Sequence, residues 1–266
     1  MRRSLQVTST DNASVKAAAR LRERRARTKE RRFLVEGTRE VFRAVEAGWT
    51  IDTLFVEESL ATMHPLRRRA EDAADVVAFV SADVYAKLAM REDREGLLAV
   101  VQIPDTSPER LTLGDAPLVL GAIGIEKPGN VGALLRSCDA FGASAFLTEG
   151  GTDLWNPNTV RASVGCLFTV PVATMDKGGL LPWLRARGLL VAAATLDGDV
   201  APADVDLRGP VAIVVGGETA GLAAAQLAPA DVRVRIPMRG RADSLNASVS
   251  AGILLYEADR QRTRRR

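Results

Sequence analysis

The chain has 266 residues, 47% of them hydrophobic, and 36 Lys and Arg against 33 Asp and Glu give a net charge of +3. This length can form one large domain or two ordinary ones, and we expect two. A net charge this small does not by itself indicate a polyanionic partner. No run of about eighteen apolar residues occurs, which excludes a membrane span and a secretory signal and predicts a cytoplasmic protein.

The sequence lacks the residues that a metal site or a Ser-His-Asp hydrolase requires. His64 is the only histidine and precedes a proline in an apparent loop, while Cys138 and Cys166 form no CxxC pattern. A zinc site would therefore have too few ligands, and a Ser-His-Asp site would have no suitable base. We expect no metal, and we interpret both cysteines as reduced, semi-buried small residues.

The N-terminal part of the chain is locally basic. From Lys16 to Arg32 nine Lys and Arg residues face only Glu23 and Glu30, and the alanines between them favour a helix. A focused basic patch can displace counterions from RNA phosphates, although a solvated helical face is the alternative. The candidate RNA contacts in this segment are Lys16, Arg20, Arg24, Arg25, Arg27 and Arg31.

Alternating apolar segments and turn signals in the first part of the chain predict a small α/β domain. The predicted strands are 33–35, 51–56, 76–80 and 97–103, and the predicted helices are 38–47, 65–74 and 82–89. A Pro-rich segment follows directly. We therefore assign residues 1–104 to an N-terminal domain, 105–116 to a linker and 117–266 to a second domain.

The second domain opens with a near-continuous apolar run of the kind that parallel sheets bury. The predicted strands are 118–123, 143–147, 170–172, 189–194, 211–215 and 232–236, and the predicted helices are 131–141, 158–166, 180–187 and 245–262. Strands and helices that alternate with short connections predict an open, mostly parallel sheet with helices on both faces.

Three loops follow strands of this sheet directly, at residues 195–198, 216–221 and 237–245. Ligands of such sheets bind at the carboxyl ends of the strands, so these loops are the candidate pocket. The adjacent Gly216 and Gly217 indicate that something approaches the backbone closely, with a tight turn alone as the alternative. A phosphate loop would require Lys where Leu222 stands.

Four segments resemble the signatures of the SpoU/TrmH family of RNA ribose 2′-O-methyltransferases. They are NVGALLRSCDAFG at 130–142, RASVG at 161–165, IVVGGETAGL at 213–222 and IPMRGRADSLNASVSAG at 236–252. They occur in the family's order, within a resemblance that covers approximately residues 117–259. FLVEG at 33–37 resembles the start of the family's substrate-binding domain, whereas the residues before Arg161 depart from the family spelling.

The resemblance implies a SPOUT fold, in which the C-terminal segment forms a deep trefoil knot that holds S-adenosylmethionine mainly by backbone groups. It assigns Gly216, Ile236 and Leu245 to this cofactor, with Thr195 and Leu196 as secondary positions, and we add Gly217, Gly221 and Met238 from the same segments as candidates. It also implies a homodimer formed by the C-terminal domains, in which residues of the partner complete each site, and it makes Arg161 a candidate contact to RNA phosphate.

The resemblance further assigns Arg136 to the attacking 2′-hydroxyl and Asn130 to ordering the site. Because a guanidinium is a poor base, we expect Arg136 to fix the ribose and its phosphate, while the phosphate or a water takes the proton. The other polar candidates for catalysis are Glu218, Ser244 and Asn246. We expect Glu218 to be held by an Arg or by backbone N–H groups rather than to react.

Residues near the end of the third signature have a simpler alternative role. Asp243 or Ser244 can cap the last helix, and Ser244 and Asn246 together are either caps or contacts to the ribose. The basic end of the chain, residues 260–266, is interpreted as a solvated tail.

We read the chain as an S-adenosylmethionine-dependent methyltransferase of an RNA ribose 2′-hydroxyl, with 23S-type ribosomal RNA favoured by the two-domain layout. The alternatives are a transfer RNA 2′-O-methyltransferase, a base methyltransferase on the same fold, and a non-catalytic RNA-binding protein that acts through the basic N-terminal segment.

Overall fold

The computed structural model describes residues 3–61, 65–218 and 221–263. His64, Thr219, Ala220 and the end of the basic tail, 264–266, lie outside the described residues, together with the predictions made for them. The described residues form two compact units. The first unit combines the chain up to Pro104 with Asp153–Thr169, and the second combines Asp105–Thr152 with the chain from Val170 onward.

The described residues contain eleven strands and ten α-helices. The strands are β1 Arg3–Val7, β2 Arg32–Glu36, β3 Ile51–Val56, β4 Ala74–Val80, β5 Leu97–Gln102, β6 Leu118–Ile123, β7 Ala145–Glu149, β8 Val172–Met175, β9 Leu190–Ala194, β10 Val211–Gly216 and β11 Val232–Val234. The helices are α1 Ala13–Arg20, α2 Arg24–Glu30, α3 Thr38–Glu46, α4 Pro65–Ala73, α5 Ala82–Leu88, α6 Pro128–Ala140, α7 Pro157–Ala162, α8 Leu180–Ala186, α9 Ala224–Leu227 and α10 Ala247–Thr263. Over the residues described, no helix combines the length and the apolar character that crossing a bilayer requires.

The first unit contains a five-stranded mixed sheet in the order β1-β4-β3-β5-β2. β1, β4 and β3 are parallel, and β5 runs antiparallel to its neighbours β3 and β2. β1 is not among the predicted strands. Its apolar residues are only Leu5 and Val7, and its partner β4 lies about 70 residues away in sequence, so no local signal marks it.

An aromatic cluster connects Asp153–Thr169 to the rest of the first unit. The ring of Phe33 on β2 lies 5.1 Å from that of Trp155, and the ring of Trp49 lies 5.2 Å from that of Phe168. Phe33 is fully buried, and Trp155 and Phe168 are nearly so. Because aromatic side chains bury large apolar areas, this cluster is a main part of the core that holds the segment.

The basic segment is not the single helix that its composition suggests. α1 ends at Arg20 and α2 begins at Arg24, because Leu21 turns into the core, where 3% of it is exposed, and Glu23 is extended. Arg31 then adopts a left-handed conformation, with φ at 52°, and ends α2 before β2 begins.

The second unit contains a six-stranded sheet in the order β11-β9-β10-β6-β7-β8, and every strand pair in it is parallel. The prediction of an α/β fold with a mostly parallel sheet is therefore confirmed. The strands agree with the predicted bounds to within three residues. The central strands of this sheet, β6 and β10, are buried, as their continuous apolar sequences predict. The trefoil knot implied by the resemblance stays a prediction.

Several predicted boundaries in the C-terminal half are displaced by two to four residues, and three of these displacements have a local reason. The helix predicted at 158–166 ends at Ala162, because Val164 and Gly165 have φ values of 54° and 86°. β11 ends at Val234 rather than at residue 236, since the Arg235 N–H donates to the Val200 carbonyl outside the ladder. α10 begins two residues later than predicted, at Ala247. α9 is not among the predicted helices because it has only four residues.

Both cysteines are buried, and neither forms a disulfide. Cys138 lies on α6 in the second unit, and Cys166 begins a short 3-10 helix in the first. The interpretation as reduced side chains fits this placement, but both are more deeply buried than the expected semi-buried position.

Candidate active site

A cavity of about 340 Å³ lies at the carboxyl ends of β9, β10 and β11 in the second unit. Its walls come from the three loops that directly follow these strands and from the first turn of α10. The volume falls in the range of small-molecule sites, about 300–1,000 Å³. The strand positions predicted a pocket formed by these loops, and the structure confirms that they meet.

All eight candidate cofactor positions line this one cavity. These positions are Thr195, Leu196, Gly216, Gly217, Gly221, Ile236, Met238 and Leu245. They come from parts of the chain about 50 residues apart, so sequence proximity does not explain their convergence. Their contact with a cofactor stays a prediction, which is developed below.

The two adjacent glycines are required by a tight approach of backbones. A Cβ on Gly216 would lie 2.2 Å from the carbonyl carbon of Gly221, and one on Gly217 would lie 2.6 Å from the carbonyl oxygen of Gly124. The Gly221 N–H donates to the Gly217 carbonyl at 2.9 Å, which closes the turn. The tight-turn alternative therefore accounts for the glycines sterically, and the same turn presents its backbone to the cavity.

The mouth of the cavity is apolar and exposed. Leu196 is 53% exposed and Met238 is 37% exposed, and both line the cavity together with the half-buried Ile236 and Leu245. Large apolar side chains in such positions offer a dry surface on which a flat aromatic ring can rest.

A polar network lies beside the cavity and connects three elements. The side-chain amide of Asn130, in the first turn of α6, donates to the Glu218 carboxylate in the loop after β10. The amide of Asn246 donates to the Asn130 side-chain oxygen at 3.2 Å. The network therefore joins the starts of α6 and α10 to the cavity wall that contains Glu218.

Asn246 also caps α10. Its side-chain oxygen accepts from the Ser248 N–H at 2.9 Å and from the Ser248 hydroxyl at 2.6 Å. The expectation that Asp243 or Ser244 caps this helix is therefore wrong, because the helix begins later than predicted. Ser244 instead lines the cavity and is exposed.

Glu218 is held by donors on several sides. Burial acts to raise the pKa of its carboxyl, but hydrogen bonds from its own backbone N–H, the Asn130 side chain and the Glu126 backbone outweigh burial and lower the pKa below its ordinary value. The positive charge of Lys127 contributes in the same direction. The carboxylate is thus held ionised by backbone N–H groups and an amide, and backbone donors were one of the two expected partner types.

Arg136 stands apart from this network. It is six residues beyond Asn130 on α6, about 9 Å along the helix axis. Its side chain is exposed, and it forms no ion pair or hydrogen bond with the described part of the chain. The structure therefore brings Asn130, Glu218 and Asn246 together and leaves the Arg136 guanidinium with solvent.

The basic candidate residues of the first unit differ in whether their side chains already form hydrogen bonds and ion pairs within the protein. Arg27 is buried, donates to Asp153 at 2.8 Å and to the carbonyls of Leu21 and Arg22, and is thus placed as a structural residue. Arg31 donates to the carbonyls of residues 103 and 104.

The other basic candidates are accessible. Lys16 pairs with Asp11 at 2.9 Å on the surface, and Arg24 lies 3.7 Å from Asp153. Arg20 and Arg25 are exposed on α1 and α2.

Arg161 is exposed on α7 in the first unit. It lies in the last turn of that helix rather than at its start, because α7 begins at Pro157 behind the Asn156 cap and has only six residues.

Two charged residues of the cavity wall are absent from the predicted site. Asp197 belongs to a loop that was predicted to line the pocket, and Arg235 follows the last residue of β11. The available signal for both was their place directly after a parallel strand. Within the described ranges, no group of three or more His, Cys, Asp or Glu side chains is arranged to hold a metal ion.

Comparison with known proteins identifies the family. Residues 117–256 match the profile of the SpoU rRNA Methylase family, and residues 12–99 match that of the MRM3-like substrate binding domain. The chain belongs to the SpoU rRNA methylase family. The resemblance drawn from the four signatures is therefore confirmed.

Relatives of this SpoU family member are similar over nearly the whole chain. A 23S rRNA (uridine(2479)-2′-O)-methyltransferase of Streptomyces viridochromogenes is 32% identical over 92% of this chain and 88% of its own. The crystal structure of an RNA 2′-O ribose methyltransferase is 43% identical, with a TM-score of 0.83 over 97% of this chain and 99% of that one. An AdoMet-bound rRNA methyltransferase from Sinorhizobium meliloti is 30% identical, with a TM-score of 0.88 over 97% and 98%.

Proposed function

We propose that this protein transfers a methyl group from S-adenosylmethionine to a ribose 2′-hydroxyl of ribosomal RNA. The observation that carries the proposal is the convergence of all eight candidate cofactor positions on one cavity in a member of the SpoU family. The relatives that align over both units are named as enzymes of this reaction and of this class of RNA. S-adenosylmethionine is the cofactor of the AdoMet-bound neighbours.

The residues of the cavity fit this cofactor. Leu196, Ile236 and Met238 offer apolar surface to an adenine ring, and the turn at Gly216 and Gly217 supplies backbone groups at its edge. When bound, S-adenosylmethionine supplies a methyl group activated by its sulfonium. The work left to the protein is to align the ribose hydroxyl, to exclude water and to dispose of a proton.

The polar network serves alignment. The Asn130 amide is fixed at both ends, by Glu218 and by Asn246, so the starts of α6 and α10 are held at a constant separation beside the cavity. The Glu218 carboxylate accepts hydrogen bonds from these donors, so it orders the site rather than removing the hydroxyl proton. The exposed guanidinium of Arg136 holds the ribose and its phosphate, and the phosphate or a water accepts the proton.

The protein acts as a homodimer through its second unit. Val249, Ile253 and Tyr256 are exposed and lie four and three residues apart on α10, so they form one apolar stripe. The ring of Phe141, at the end of α6, lies 5.9 Å from that of Tyr256 and extends the stripe. Apolar side chains at helical spacing on an exposed face support self-association through this surface.

The first unit acts as the RNA-binding domain, with accessible basic side chains on α1, α2 and α7 as its phosphate contacts. The second unit carries the knotted catalytic fold. Ribosomal RNA as the substrate places the enzyme in the cytoplasm.

The reaction is tested by transfer of labelled methyl from S-adenosylmethionine to unmodified ribosomal RNA and, separately, to unmodified transfer RNA, followed by nucleoside analysis. We expect a labelled 2′-O-methyl nucleoside from ribosomal RNA only. Label in a base would overturn the assigned reaction, and label in transfer RNA alone would overturn the substrate class. Failure of S-adenosylmethionine to raise the melting temperature would overturn catalysis altogether.

The role of Arg136 is tested by Arg136→Lys and Arg136→Ala. A guanidinium that holds ribose and phosphate by its fork geometry cannot be replaced by a point charge, so both variants should lose methyl transfer, by about 100-fold or more. S-adenosylmethionine binding should persist in both, as measured by thermal shift. An Arg136→Lys enzyme with nearly full activity would contradict the geometric role.

A further inference from the structure

The segment that crosses from β11 to α10 carries positive charge that no nearby side chain offsets. Residues 233–241 contain four arginines, Arg233, Arg235, Arg239 and Arg241. None of them forms an ion pair or a side-chain hydrogen bond with any residue that the structure describes, and all four are exposed. Among the described residues of the second unit, this is the densest group of guanidiniums without an ion pair.

Several other arginines of the same unit have acidic partners. Arg208 pairs with Asp206 at 2.7 Å, Arg260 with Glu257 at 2.6 Å, and Arg185 with Asp231 at 3.9 Å. The loop from residue 235 to residue 246 contains three arginines and a single carboxylate, Asp243, and Asp243 forms no ion pair with the described residues. The loop therefore carries a net charge of +2.

The loop is also loosely held by its own backbone. Residues 236–245 contain neither helix nor strand, and across the described ranges their backbone groups form no hydrogen bond with other backbone groups. Connections in compact units are usually about 4–6 residues long, and longer loops without secondary structure are often functional. A backbone without partners can adjust to a ligand at little cost in existing hydrogen bonds.

The same loop forms part of the cavity wall. Ile236, Met238, Ser244 and Leu245 line the cavity, whereas Arg239 and Arg241 do not line it and are exposed. The two guanidiniums therefore belong to the stretch of loop between the lining residues Met238 and Ser244. Exposed guanidiniums beside the cavity are available to the phosphates that flank a ribose bound there.

We infer that Arg239 and Arg241 form a phosphate subsite for the RNA strand that carries the target ribose. The inference rests on the proposed function and extends it to residues outside the cofactor and catalytic positions. Guanidinium groups bind phosphate oxygens in a bidentate manner, and such contacts position a strand without reading its sequence. Arg235 lines the cavity and is not included in the subsite.

The test is the salt dependence of RNA binding by the double variant Arg239→Gln/Arg241→Gln. Binding of a labelled, unmodified ribosomal RNA fragment is measured by fluorescence anisotropy from 50 to about 300 mM salt, with S-adenosylhomocysteine present. Loss of two phosphate contacts should reduce the slope of log K against log salt by about 1.4–1.8. The Kd at the lowest salt should rise by about tenfold or more.

Two matched controls accompany the double variant. Arg185→Gln/Arg208→Gln removes the same charge from exposed, acid-paired positions of the same unit and should leave the slope unchanged. Arg239→Lys/Arg241→Lys keeps both charges and should retain the slope while it loses part of the affinity, because an ammonium does not reproduce the fork. Stabilisation by S-adenosylhomocysteine should be equal in all variants, which shows that each is folded.

The outcomes separate the subsite from the proposed function. If the wild-type protein binds the RNA and the double variant has the same slope and Kd, the subsite is overturned and the proposed function stands. If the wild-type protein takes up S-adenosylhomocysteine but binds no ribosomal RNA fragment, the proposed function itself is overturned. A slope lowered equally by the acid-paired control would show a general charge effect and would also overturn the subsite.

Discussion

Two basic regions of this protein use their arginines in opposite ways. The segment of α1 and α2 has the higher density of positive charge, yet Arg27 is buried against Asp153, and Arg22 donates to the carbonyls of Lys87 and Ala89. In the loop after β11, no arginine has such a partner among the described residues. The density of charge in a sequence therefore does not identify ligand contacts. The interactions that each guanidinium already makes are the better guide.

The largest loss of stability should come from replacing an arginine whose guanidinium already forms an ion pair and hydrogen bonds. Arg27→Met leaves the Asp153 carboxylate, which is 16% exposed, without its main partner and removes donors from two carbonyls. Breaking a buried ion pair on one side costs about 3–5 kcal/mol. We expect the free energy of unfolding, measured by urea titration, to fall by this amount.

The matched control is Arg25→Met, two residues away on α2, where the side chain is exposed and has no ion pair within the described chain. It should change the free energy of unfolding by less than about 0.5 kcal/mol. Equal stability of the two variants would contradict the division between structural and accessible arginines in this segment.

A smaller loss of stability, together with a loss of ligand binding, should follow from a change in the turn after β10. Gly216→Ala places a methyl group 2.2 Å from the Gly221 backbone, so the turn must open to accept it. Overpacking of this kind costs about 1–3 kcal/mol. Because the turn lines the cavity, we also expect S-adenosylhomocysteine to lose most of its stabilising effect on the melting temperature.

Gly114→Ala is the control for this change, because a Cβ at Gly114 meets no atom within 4 Å and the residue is exposed in the same unit. Its stability and its response to S-adenosylhomocysteine should equal those of the wild type. A Gly216→Ala protein that still gains full stabilisation from the ligand would show that the turn does not contact the cofactor.

The cavity was predictable from sequence because its walls follow a simple rule. Parallel strands end at one edge of the sheet, and the apolar runs at 189–194 and 211–215 mark two of those strands without a structure. Asn246 was one of three candidate caps, and the sequence could not choose between it, Asp243 and Ser244, since all three are good caps and only the helix start decides between them.

Long-range partners account for the rest of what sequence could not give. Arg27 is one of nine basic residues in its segment, and nothing local marks it as the one that is buried against Asp153, 126 positions along the chain. The same holds for Asp153–Thr169, which packs in the first unit although the chain around it belongs to the second. Such placements depend on tertiary packing, and no periodicity or turn signal reports it.

Glu218, in the loop after β10, is a charged residue of the second unit whose partners are already in place, and it should give the smallest effect. Its carboxyl has a pKa below the ordinary value, so its contribution to stability is present above that value and is lost as the pH falls through the lowered pKa. The difference in free energy of unfolding between wild type and Glu218→Gln should therefore be constant near neutral pH and should shrink below pH 4.5, the ordinary pKa of this group.

The control is Glu109→Gln, which replaces an exposed carboxylate of the same unit and should show no such difference. A gap between wild type and Glu218→Gln that does not change with pH would mean that the ionised carboxylate is not what the Asn130 amide recognises.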